Sequence, residues 1–173
     1  MSKGRIEDAF RILDTVSQPR EKIQMLMQIM GQFGASQSNE VATGLLDQAR
    51  RMIGGLDRAE NAEQMNALFL LSSAFARFDS AHGLEILEPL IAQFNEMCDA
   101  GLTLNGFGQE CFRDGELMMH NGNNLGNIAS QLIASLAASS RVDFDRAKLA
   151  ASRLSRPEVQ ISAYIAICES ASR

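Results

Sequence analysis

The chain has 173 residues, 46% of them hydrophobic, with a formal net charge of −5. That is enough apolar chain for one domain with a real core, and it excludes disorder over the whole length. The acidic balance argues against a nucleic-acid partner: Arg50-Arg51 and the stretch from Arg141 to Arg156 are interleaved with acids and read as solvated faces.

Helical periodicity runs through most of the chain. Residues 5–16 place Ile6, Ala9, Ile12 (or Leu13) and Val16 on one face. Pro19 opens a second helix at its first turn, where a missing N–H costs nothing, and this helix carries Ile23, Leu26, Ile29, Met30 and Phe33 before Gly34 stops it. A third helix over 40–53 shows Ala42, Leu45, Leu46, Ala49 and Ile53. The fourth, over 60–78, is apolar on more than one side (Met65, Leu68, Phe69, Leu71, Phe75, Phe78), so it is expected to lie between neighbours as the most buried element. Asp79-Ser80 caps the fifth, in which Pro89 implies either a kink or the start of a new helix. Residues 101–122 break the pattern. Asn123 or Asn124 then caps a helix with Leu125, Ile128, Ala129, Leu132 and Leu136, and helices over 143–154 and 157–171 close the chain. Asp143 and Asp145 read as a helix cap rather than as a catalytic carboxylate pair. The fold class expected is all-α: an antiparallel, solenoid-like array of about eight helices with one Gly-rich insert.

Cys98, Cys111 and Cys168 are an odd number in a chain of this size, which is not a disulfide framework. The N-terminus lacks a signal-peptide apolar stretch, so a cytoplasmic location is favoured if the chain is complete. The longest strongly apolar run, from Ala67 to Leu71, is too short to span a bilayer, and no membrane association is expected.

An internal repeat organises the chain. Residues 7–29 match residues 145–167 without gaps: Ala9, Ser17, Pro19, Ile23 and Ile29 recur as Ala147, Ser155, Pro157, Ile161 and Ile167. The unit is a short helix, a Ser-x-Pro break and a second helix. Units of this kind stack, because none buries its apolar face alone. The pattern resembles tetratricopeptide-like α-hairpin repeats, although the helix pairs vary in length and the Trp, Gly and Tyr positions of true repeats are not filled in register. It also looks like a group of uncharacterised bacterial helical-repeat proteins. That likeness rests on the run from Gly83 to Ile91 (GLEILEPLI), Gly106-Phe-Gly, the run from Cys111 to Leu117 (CFRDGEL), Asn124-Leu-Gly-Asn127 and Asp143-Phe-Asp-Arg-Ala147. The resemblance covers most of the chain from about residue 60 onward and brings no activity or functional residues; the organisation expected is a single helical-repeat domain over 1–173, part of a longer protein.

The insert over 101–122 holds five of the thirteen glycines. Asp114-Gly115 between Cys111-Phe112-Arg113 and Glu116-Leu117-Met118 signals a β-hairpin, which has to lie on the helices because an isolated ribbon is marginal. The insert reads either as a plug that closes one side of the stack with Phe107, Phe112 and Leu117, or as a binding loop presenting Phe107, Phe112, Arg113, Asp114, Glu116 and His120. Gly106-x-Gly108 lacks the third glycine and the βαβ context of a dinucleotide site. Cys98, Cys111 and His120 do not have zinc spacing, and a Cys111–His120 pair lacks an orienting group and an oxyanion hole. No cofactor or metal is expected. The function expected is a protein-interaction or scaffolding module with a protein or peptide partner. The alternative is an enzyme or ligand-binding domain that uses the insert as its site. The last helix, apolar on more than one face, also predicts apolar surface near Ile165 and Ile167 that a missing neighbour, the chain folding back or a second copy covers, hence self-association through that helix or a chain continuing past Arg173.

Overall fold

The computed structural model describes residues 39–53, 58–107, 110–119 and 124–172, together with helical positions at Arg11, Thr15, Glu21, Gln24 and Met25. The helices expected over 5–16 and 19–33 otherwise lie outside the described residues. Within them the protein is helical apart from one small ribbon. The elements are α1 (Asn39–Ile53), α2 (Ala62–Phe75), α3 (Ser80–Leu104), β1 (Phe112–Arg113), β2 (Glu116–Leu117), α4 (Asn124–Ser140), α5 (Phe144–Ala151) and α6 (Pro157–Ala171).

Helix α2 is the hub. Its start is fixed by Asn61, whose side chain accepts from the Gln64 amide, while the Gln64 side chain reaches back to the Glu60 amide. Apolar residues surround it, and it packs on α1, α3 and α4 at once. Leu68, Leu71 and Phe75 are fully buried, as the sequence predicts, and join Phe69, Leu84, Leu87 and Phe94 in one core. The α2–α3 crossing is tight because Gly83 has no side chain: a Cβ there would stand 2.9 Å from the Ser72 carbonyl oxygen and 3.1 Å from the Ala76 nitrogen. The Ser72 hydroxyl donates to the Gly83 carbonyl across this contact (2.8 Å), which satisfies a buried polar group. On the other side of α2, the Ser135 hydroxyl of α4 donates to the Phe69 carbonyl at 3.0 Å.

Pro89 neither ends α3 nor begins a new helix. One helix of 25 residues runs through it. The amide that proline lacks would bond the carbonyl of Glu85, which is on the exposed side, where water can replace it. Asp79 caps α3 by accepting from the His82 amide, and Asp143 caps α5 by accepting from the Arg146 amide, so the carboxylate at 143 is spent on local structure.

The C-terminal pair α5–α6 closes the fold. Asn95 on α3 holds the Ser-x-Pro break between them: its amide donates to the Arg153 carbonyl, and its carbonyl oxygen accepts from the Ser155 amide. Helix α6 lies mainly on α4 and buries Val159, Ala163 and Ile167 at four-residue spacing. Ile167 is therefore a core residue, against the expectation that it is exposed. Ile165 stands half a turn away on the opposite face and is exposed, together with Ile161.

Candidate functional site

The insert begins later than the glycine content suggests. Gly101 does not break α3. It sits inside the helix as a close-approach point, where a Cβ would meet Leu125 Cδ1 at 2.6 Å and Phe112 Cε2 at 3.2 Å. The chain then continues helically to Leu104, and Asn105 ends the helix in extended backbone.

Asn105 is the residue that builds the site. Its side-chain oxygen accepts from the amides of Cys111 and Phe112, each at 3.0 Å, and its NH2 donates to the Phe112 carbonyl at 3.0 Å. The side chain thus stands in for a neighbouring strand along β1. On the far edge, the Leu117 amide donates to the Glu158 carboxylate of α6 at 2.8 Å. Phe112 pairs with Leu117 and Arg113 with Glu116. The turn residues, Asp114 and Gly115, have φ of 52° and 86°, the left-handed geometry a tight hairpin turn demands. Phe112 and Leu117 face inward and are buried, while Arg113 and Glu116 face outward and are exposed. Both ribbon edges are occupied by side chains, so a partner strand would have to displace Asn105 or Glu158.

A half-buried cation packs against the ribbon's inward-facing ring. The Arg156 guanidinium covers the Phe112 ring at 5.2 Å and donates to the Asp99 carboxylate at 3.2 Å. Burial pushes the nearby Cys98 thiol up to about 12, with Arg156 pulling the other way. A thiol so placed stays protonated and is a poor nucleophile. Cys111 is also buried, whereas Cys168 is exposed.

The candidate residues of the sequence separate into distinct groups. Phe112 belongs to the core rather than to a presented surface, because its ring fills the space left open by Gly101. Phe107 does not plug the stack: it is 86% exposed. Arg113, Asp114 and Glu116 form the exposed tip of the ribbon. His120 lies outside the described residues. Sequence reasoning missed Leu102 and Leu104, which are exposed in the last turn of α3, and it assigned no role to Asn105, Arg156 or Glu158. An Asn at a helix end followed by Gly is the one signal that points to Asn105, since Asn side chains readily pair with backbone there.

A second polar cluster ties α1 to α3. Arg50 Nη1 donates to His82 Nε2 at 3.1 Å, Asp47 Oδ1 lies 3.6 Å from the same nitrogen, and the imidazole stacks on Phe75 at 4.5 Å. A guanidinium can only donate, so Nε2 is the accepting nitrogen in the contact with Arg50. Among the described residues no group of three or more His, Cys, Asp and Glu side chains could hold a metal ion, and no helix is long and apolar enough to cross a membrane. Comparison with protein-family models, curated proteins and solved structures finds no match.

Proposed function

We propose that the protein is a helical scaffold that binds a protein or peptide through the end of α3 and the docked insert. The observation that carries this reading is the exposure of Leu104 and Phe107, which one backbone hydrogen bond joins at the end of α3, next to a ribbon that is held from both edges. Large apolar side chains grouped on a surface commonly mark interaction sites, and a loop placed by a rigid scaffold loses little freedom on binding. A photo-crosslinking amino acid at position 107, introduced in the native cell, tests the reading. One discrete protein adduct that disappears with Leu104→Asp, and does not form from position 85 on the outer side of α3, supports it. No adduct at 107 refutes it.

We infer as well that the helix pairs form a repeat array. Its support is the match of residues 7–29 to 145–167, whose second copy forms the helix pair α5–α6. In such an array a further apolar helix would cover the outer face of α6, where Ile161, Ile165 and Cys168 recur at spacings of four and three and all are exposed. A second copy of this chain is one way to cover that face. Sedimentation across a concentration series is expected to show self-association that Ile165→Asp abolishes. A monomer at every concentration, with Ile165→Asp unchanged, would sink that part of the reading.

A further inference from the structure

The surface at the end of α3 combines apolar exposure with a surplus of negative charge. Leu104 and Phe107 are 56% and 86% exposed, and the Phe107 amide donates to the Leu104 carbonyl at 3.0 Å, which keeps the two side chains on one turn. Gly106, at φ 86°, allows that reversal. The bond from the Cys111 amide to Asn105 closes the loop and returns Glu110 to the base of the same turn. Glu110, Asp114 and Glu116 are exposed, and the one exposed cation among these tip and loop residues is Arg113, which stands opposite Glu116 in register. Opposite charges at directly facing positions offset each other. Glu110, next to the Asn105 contact, and Asp114, at the hairpin turn, then remain as net negative charge.

Resting on the binding reading above, we infer that the partner is a peptide segment that sets an apolar anchor against Leu104 and Phe107 and carries Lys or Arg beside it. Like charges facing across an interface repel, whereas complementary charges speed encounter and fix register. The same charges disfavour a nucleic acid or an anionic lipid surface, whose phosphates would meet Glu110 and Asp114. The occupied edges of the ribbon disfavour an added strand, so a helical amphipathic segment lying across the turn is the form that fits.

The probe is a labelled amphipathic Leu–Lys helical peptide, with the matching Leu–Glu peptide, a DNA duplex and phosphatidylserine vesicles as comparators, read by fluorescence anisotropy or co-sedimentation. The Leu–Lys peptide is expected to bind at least about tenfold more tightly than the Leu–Glu peptide. Phe107→Ser and the double variant Glu110→Lys/Asp114→Lys are each expected to weaken it by about tenfold, while Glu85→Lys and the exposed Val142→Ser stay within about twofold. Phe107 is exposed, so its replacement leaves the fold intact. A Leu–Glu peptide that binds as well through Phe107 overturns the basic-partner inference and leaves the binding surface standing. So does DNA or vesicle binding that Phe107→Ser abolishes. Leu–Lys binding indifferent to Phe107→Ser, or no Leu–Lys binding at all, overturns the inference; the crosslinking at 107 then decides separately whether the surface binds anything.

Discussion

Helix α2 and the ribbon β1–β2 each bury a phenylalanine, but they hold it by different means. Phe75 sits in a core made of Leu, Ile, Met and Phe from several helices, and its place follows from the apolar surface it removes from water. Phe112 sits under a ribbon of four strand residues that has almost no core of its own. Its place depends on particular polar side chains: Asn105 along one edge, Glu158 on the other, Arg156 over the ring. The lesson is that burial by pattern tolerates many sequences, whereas burial by individual hydrogen bonds depends on single residues.

The comparison predicts where mutations act. Phe75→Ala removes a fully buried ring from the hub and is expected to cost about 3–5 kcal/mol of global stability by denaturant titration. A loss below about 1 kcal/mol would show that α2 is not central. Asn105→Ala strips the ribbon edge of three hydrogen bonds, to the Cys111 and Phe112 amides and the Phe112 carbonyl. It is expected to cost about 2–3 kcal/mol, with Asn105→Asp milder because the carboxylate still accepts from both amides. Equal losses in the two variants would mean that the donor to the Phe112 carbonyl carries the contact.

The smallest effect concerns Cys98. Its thiol is pushed from 9.0 to about 12 in the folded protein, so between those values the unfolded chain has released a proton that the folded chain keeps. This contribution to stability is complete below pH 9.0 and is lost as pH rises towards 12. Wild type should therefore lose stability more steeply than Cys98→Ala on going from about pH 9 to pH 11, by at most about 1.4 kcal/mol per unit. Parallel slopes would contradict the burial of the thiol. In the same protein at neutral pH, a thiol reagent should modify Cys168 quickly and Cys98 and Cys111 slowly.

The same contrast explains what was legible in the sequence. The hub was readable because Leu68, Leu71 and Phe75 belong to a helical apolar pattern, and patterns survive without coordinates. The hairpin turn was readable because Asp114-Gly115 supplies the positive φ values its geometry requires. The ends of the insert were not, because Gly101 reads as a breaker in one dimension and acts as a contact point in three. Phe107 and Phe112 look alike in sequence. Only the closure at Asn105 places one outside and the other inside, and the partner that closes the far edge, Glu158, is distant in the chain. In α6, apolar residues on two sides left open which side is buried. The contact with α4 selects Val159, Ala163 and Ile167 and leaves Ile161 and Ile165 exposed.

The central claim is that the insert is a docked part of the fold that presents Phe107 from a fixed base. Amide hydrogen exchange tests it most directly. The amides of Cys111, Phe112, Leu117 and Met118 all donate to protein acceptors, so they are expected to exchange slowly and as one group, and to lose protection together in Asn105→Ala while α2 stays protected. Exchange of these four amides at the rate of an unstructured peptide in the wild-type protein would contradict the account.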